Sequence, residues 1–125
     1  MSERMYTAKA YLLLNCPFSF KFLLFMTEAG LRDQIEIVCF DVNSDDHEEM
    51  KSRLEKSTGE RASFPTVEIK PGVYMADSDA LINYYTNKNM IENMKLPTLA
   101  FYKNGVYKEI IRLFRENNDL KSQLS

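Results

Sequence analysis

The chain has 125 residues, with 16 basic and 18 acidic side chains and a formal net charge of -2. That length suits one domain with a modest core. With a pI near 5.5 and no long basic run, nothing in the charge pattern points to nucleic acid as a partner. The two cysteines, Cys16 and Cys39, are too few for a disulfide framework, and the single His47, set among acids and expected to be exposed, adds no set of three soft or imidazole ligands. No metal site is expected.

Residues 7–14 read as a strand, because Tyr11, Leu12, Leu13 and Leu14 form a continuous apolar run of the kind that is buried on both faces. Pro17 fits the first position of a helix, where its missing N–H costs nothing. That helix runs to about Ala29 and stops at Gly30, with Phe18, Phe22, Phe25 and Met26 on its apolar face. The apolar stretch from Tyr11 to Met26 is interrupted by Asn15, Cys16, Pro17, Ser19 and Lys21 and is too broken to span a bilayer. No signal-peptide pattern precedes it, so a cytoplasmic, reducing location is the default.

Residues 34–41 form the next strand, with Cys39 expected in the core among Ile37, Val38 and Phe40. Asp45 and Glu48 have the spacing of a capping box. The helix after them turns Met50 and Leu54 inward and stops at Gly59. A third strand covers residues 63–69 with Pro65 at its start. Residues 73–75 return after the Pro71-Gly72 turn, and Ser78 caps a helix through Leu81, Ile82 and Tyr85. In the tail, Asn104-Gly105 between apolar runs is a strong hairpin signal. Residues 99–111 are therefore expected to form a β-hairpin, followed by a short helix over residues 113–120. The alternation of strands and helices predicts an α/β fold, a mixed sheet flanked by helices.

Three features carry candidate chemistry. Cys16-Pro17-Phe18-Ser19 follows a buried strand and opens a helix. The unpaired N–H groups and the positive end of a helix favour an anion there, and the thiolate is the nucleophilic form of cysteine. Ser19 cannot close a disulfide with Cys16 but can offer it a hydrogen bond. The plain alternative is a small residue filling the strand–helix junction. Pro65 is either an edge-strand device or a cis proline that leaves the Phe64 backbone free for an extended ligand. Asp77-Ser78 is either a simple cap or, with the free N–H groups of its helix, a seat for a zwitterion.

Cys16-Pro17-Phe18-Ser19, Phe64-Pro65 and Asp77-Ser78, in this order and spacing, resemble the glutathione-binding domain of the glutaredoxin and glutathione transferase superfamily, a thioredoxin-like fold. Within it, the Cys-Pro-Phe-Ser sequence is similar to the cysteine-type branch of omega-like transferases, dehydroascorbate reductases and chloride intracellular channel proteins. The resemblance implies that Cys16 forms a mixed disulfide with glutathione, a co-substrate, beside Pro17 and Phe18. It implies that Phe64, before a cis Pro65, binds the cysteinyl backbone and that Asp77 and Ser78 hold the γ-glutamyl end. The glycine carboxylate needs a cation, for which Lys9, Lys21, Arg53 and Arg61 are candidates.

The match covers residues 7–88, so residues 1–88 are read as the glutathione-binding-type domain and residues 89–125 as a hairpin-plus-helix extension packed on it. Family transferases continue instead into a large helical domain. The expected function is a glutathione-dependent one-cysteine thiol–disulfide oxidoreductase acting on a glutathionylated thiol. The alternatives are a non-catalytic binding or scaffold module and a partner-dependent transferase-like protein. The tail hairpin either packs intramolecularly or supplies a homodimer contact.

Overall fold

The apolar run after Thr7 forms β1 (Ala8–Leu13), the strand around which the computed structural model of the protein is organised; the structure describes residues 6–124. The alternation of a strand sends Ala8, Ala10 and Leu12 to one face and Tyr11 to the other, and all four are buried. Next come α1 (Pro17–Glu28), a 3-10 turn (Arg32–Gln34), β2 (Ile35–Phe40) and α2 (Asp45–Thr58). The hairpin β3 (Thr66–Lys70) and β4 (Val73–Ala76) and the helix α3 (Ser78–Lys88) follow. The sheet order is β2-β1-β3-β4, with β1 parallel to β2 and antiparallel to β3, and β3 antiparallel to β4. This is the mixed sheet flanked by helices that the alternation predicted, in a thioredoxin-like topology.

Two apolar clusters fill the layers. Phe22, Phe25 and Met26 of α1 and Leu81 and Tyr85 of α3 pack against Ala8, Ala10, Leu12 and Val67 on one face. Met50 and Leu54 of α2 pack on Tyr11 and Phe40 on the other. Gly30, at φ 76°, ends α1 in a left-handed turn, and the next N–H, of Leu31, closes back on the Met26 carbonyl at 2.8 Å.

Several local expectations shift. The cap of α2 is Ser44, whose hydroxyl accepts the His47 N–H at 3.1 Å, rather than Asp45 in a capping box with Glu48. His47 is buried, not exposed, because it shares the inner face of α2 with Met50 and Leu54 at helical spacing. Asp77, not Ser78, caps α3. Phe18 lies at the rim of α1 and is exposed. Cys39 is exposed rather than in the core. It lies on an edge strand, and with Leu14, Phe20 and Leu23 it lines a small cavity of about 160 Å³ instead of being covered.

The tail is the main correction. The hairpin expected at residues 99–111 does not form; the chain makes α4 (Pro97–Asn104) and α5 (Val106–Leu124). Pro97 opens α4, and Gly105 breaks the helix instead of turning a hairpin. Leu99 and Tyr102, three apart, are the two buried residues of α4. Leu99 joins the α1-side core, and Tyr102 meets the Phe20 ring of α1 at 4.9 Å. The N-terminus of α4 is held by Glu28 at the end of α1, whose carboxylate accepts the N–H of Thr98 at 2.7 Å and of Leu99 at 2.8 Å.

Partial desolvation pushes the Glu28 carboxyl up, but the two backbone N–H bonds outweigh it and hold it below its ordinary value of 4.5. A carboxylate lowered in the folded state stabilises above its unfolded value and is lost as pH falls through the folded one. Protection of the Thr98 and Leu99 amides, measured by hydrogen exchange and corrected for intrinsic rates, is therefore expected to be full above about pH 5 and to fall below 4.5. In Glu28→Gln it is expected to be lower at neutral pH and to lose that pH dependence.

Candidate functional site

Three sequence features meet at one end of the sheet. Cys16 follows the end of β1, Pro65 precedes the start of β3, and Asp77 follows the end of β4. Thr66 pairs with Ala76 in register, which sets Pro65 beside Asp77. Cys16 is the N-cap of α1 and is half-buried. Its sulfur accepts the Ser19 N–H at 3.4 Å, and its S–H reaches the Phe64 carbonyl at 3.7 Å. The Phe64–Pro65 peptide bond is cis. Pro17 is buried at the first helical position.

The backbone N–H of Ser19, rather than its hydroxyl, serves the sulfur. The hydroxyl is 98% buried with the rest of the side chain and accepts the Leu13 N–H at 3.1 Å, tying the last residue of β1 to the first turn of α1. Behind Cys16, the Phe64 ring lies 6.4 Å from Phe40 and 5.3 Å from the His47 imidazole. His47 Nδ1 accepts the Asn43 N–H at 2.9 Å. His47 thus supports the residue that contacts the cysteine.

Asp77 adopts φ 82°, and its carboxylate accepts the Ala80 N–H at 3.3 Å, while Ser78 is buried beneath it. One residue further on, Asp79 takes an ion pair from Lys21 of α1 at 2.8 Å. Lys21 is buried, donates to the Tyr107 hydroxyl at 3.2 Å and sits 4.6 Å from the centre of that ring. Burial works to lower the Lys21 pKa, but the hydrogen bonds to Asp79 and Tyr107 outweigh it and hold the group above the ordinary lysine value. Lys21 is thereby committed to Asp79. Arg61 instead lines an open groove of about 390 Å³, with Ser63, Thr66, Tyr74 and Ala76 among its other walls. These flank Phe64-Pro65 on one side and Asp77 on the other.

The described residues hold no group of three or more His, Cys, Asp or Glu side chains placed to bind a metal ion. Nor does any helix among them have the length and apolarity to cross a membrane.

No family profile matches the chain, and no curated protein matches it in sequence. Its structure is similar to that of a diazinon-metabolizing glutathione S-transferase from the silkworm Bombyx mori. The TM-score is 0.51 at 20% identity, over 66% of this chain and 38% of that one. It is also similar to a possible glutathione S-transferase from Rhodopseudomonas palustris, with a TM-score of 0.50 at 20% identity over 65% of this chain and 39% of the other. What they share is a thioredoxin-like fold. The chain thus spans about two fifths of the length of these transferases.

The tail brings two residues to this thioredoxin-like fold that the sequence reading did not place near Cys16. The Tyr102 hydroxyl donates to the Pro17 carbonyl at 3.0 Å, one residue from the cysteine. Burial first, then Tyr107 and Cys16, push its pKa up. Tyr107 stands edge-on to Phe18 at 5.9 Å. A helical reading of the Leu99, Tyr102 spacing would have found the first of them; the Lys21–Tyr107 contact leaves no local signal.

Ser19→Ala leaves the Leu13 N–H without its partner. Urea denaturation should show a loss of about 1–3 kcal/mol, the cost of an unpaired buried donor. An unchanged midpoint would show that the junction does not need the hydroxyl.

Proposed function

We propose that the chain is a glutathione-dependent one-cysteine thiol–disulfide oxidoreductase with Cys16 as nucleophile. The observation that carries this reading is the setting of the Cys16 sulfur: capping a helix N-terminus, served by the Ser19 N–H, and next to the Phe64 carbonyl at the sheet end where Asp77 and Ser78 begin α3. The Cys16 thiolate attacks the glutathione sulfur of a glutathionylated thiol. A Cys16–glutathione disulfide forms, and the substrate leaves as its thiolate. A second glutathione thiolate attacks the glutathione sulfur of that disulfide, releasing oxidised glutathione and the Cys16 thiolate. No second protein thiol enters the cycle. A cytoplasmic setting, where glutathione is reduced, belongs to this reading.

The remaining site residues take roles around that step. Pro17 and Phe18 shape the rim, and the Phe64 backbone binds the cysteinyl part before Pro65. Asp77 takes the γ-glutamyl ammonium, with Ser78 and the first N–H groups of α3 on its carboxylate. Arg61 takes the glycine carboxylate, because it lines the groove beside Ser63 and Ala76 while Lys21 is held by Asp79. A non-catalytic binding module is the second reading. It draws on the apolar side chains that α4 and α5 leave exposed, Phe101 and Phe114 among them.

Exposure to oxidised glutathione followed by intact mass measurement tests the proposal. One glutathione should add quickly to the wild type and to Cys39→Ser and not to Cys16→Ser. Because Cys39 is exposed, an equally slow adduct at both cysteines would reject the mechanism and favour the binding module. Asp77→Asn keeps the helix cap but removes the charge offered to the ammonium. It should raise the KM for glutathione by about tenfold or more, as expected for a charge-assisted bond of about 1.5–3 kcal/mol, with little change in kcat.

A further inference from the structure

Helix α5 carries an apolar seam that the rest of the chain covers only in part, at the half-buried Ile110. Val106, Ile110, Leu113, Asn117 and Leu120 recur at alternating spacings of four, three, four and three. This is the a/d pattern of a two-stranded coiled coil, with Ile110 and Asn117 at a and Val106, Leu113 and Leu120 at d. Val106 is 57% exposed, Leu113 51% and Leu120 57%. The base of the helix is fixed to the domain by Tyr107, which binds Lys21 and meets Phe18. Arg112, at an outward c position, is paired with Glu109 and Glu116 along the helix.

We propose that this seam pairs with the same seam of a second copy of the chain, forming a parallel homodimer through α5. Two features select a second copy and the parallel orientation. Asn117 is the one polar residue among the five seam positions, and at an a position it meets its own equivalent only when the helices run parallel and in register. Glu116 falls at g and Lys121 at the following e. In a parallel pair each Glu116 faces Lys121 of the other copy. In an antiparallel pair g faces g, so Glu116 meets Glu109 or Glu116 of the other copy, a like charge in either register. A carboxylate can accept from both Arg112 of its own helix and Lys121 of the other. The anchored base keeps α5 helical before pairing, which lowers the ordering cost of association. The seam is only about two heptads long and buries less than a standard interface, so the dimer exchanges with monomer and depends on concentration.

Sedimentation equilibrium over a range of protein concentrations reads this directly. The wild type should shift from 14.6 kDa toward twice that mass as concentration rises. Leu113→Glu combined with Leu120→Glu should stay at the monomer mass with an unchanged circular dichroism spectrum, since both side chains are exposed in the monomer. Orientation is read separately in a chain carrying Cys16→Ser and Cys39→Ser. There, Asn117→Cys should cross-link into a dimer on oxidation, and Asp119→Cys, at an outward c position, should not. A monomer at every concentration would overturn the proposal. So would a dimer that survives the double glutamate substitution, or cross-linking at 119 as fast as at 117.

Discussion

The site rests on one hydrogen bond at the end of the first strand. Neighbouring N–H groups in a strand point opposite ways. The Leu14 N–H goes to the Phe40 carbonyl of β2, so that of Leu13 faces the β3 side, where pairing stops at Tyr11–Thr66. Left alone there, the Leu13 N–H would cost free energy, because the groups around it are largely shielded from water. The Ser19 hydroxyl takes it. Satisfying that donor fixes the first turn of α1 against the strand, and the same residue then presents its own N–H to the Cys16 sulfur. The serine in the Cys-Pro-Phe-Ser sequence thus serves the cysteine through the backbone and serves the fold through its side chain.

The parts of the structure legible in sequence are those written in local patterns. The apolar run of β1, proline at the first turn of α1, proline before β3 and Asp77-Ser78 before α3 each mark an element boundary by backbone chemistry alone. Their order then places them at one sheet end through the mixed topology. The tail was misread because two local signals conflicted. Asn-Gly favours a tight turn between strands, but Leu99 with Tyr102, and Ile110 with Leu113, have helical spacing. The helical pattern prevailed because it buries Leu99 and Tyr102 against α1 and gives the first N–H groups of α4 a carboxylate partner in Glu28. That partner lies 70 residues earlier in sequence, beyond any local reading. His47 and Cys39 were exchanged in burial for a similar reason. The inner face of α2 begins one turn earlier than its apolar residues suggest, and the edge position of β2 leaves its C-terminal end partly uncovered.

Lys21 shows a second way in which the tail is tied to the site, beside the Tyr102 contact with Pro17. A buried ammonium without a partner would be costly. Asp79 and Tyr107 compensate it from two different helices, so α1, α3 and α5 are held in a fixed relation at the end of the sheet where Cys16 and Asp77 lie. Asp79 remains largely exposed, which limits what the ion pair adds to stability. Its larger effect is geometric: the lysine joins the start of α3 to α1 one turn below Cys16, and Tyr102 joins α4 to the Pro17 carbonyl.

The same arrangement limits what can approach the sulfur. Tyr102 sits against the turn that carries Cys16, and Tyr107 covers Lys21 beside Phe18, so α4 and the base of α5 form an aromatic wall on one side of the first turn of α1. The groove along Arg61, Ser63 and Ala76 has no residue of α4 or α5 among its walls, so the helices of the tail crowd the first turn of α1 and leave that groove uncovered.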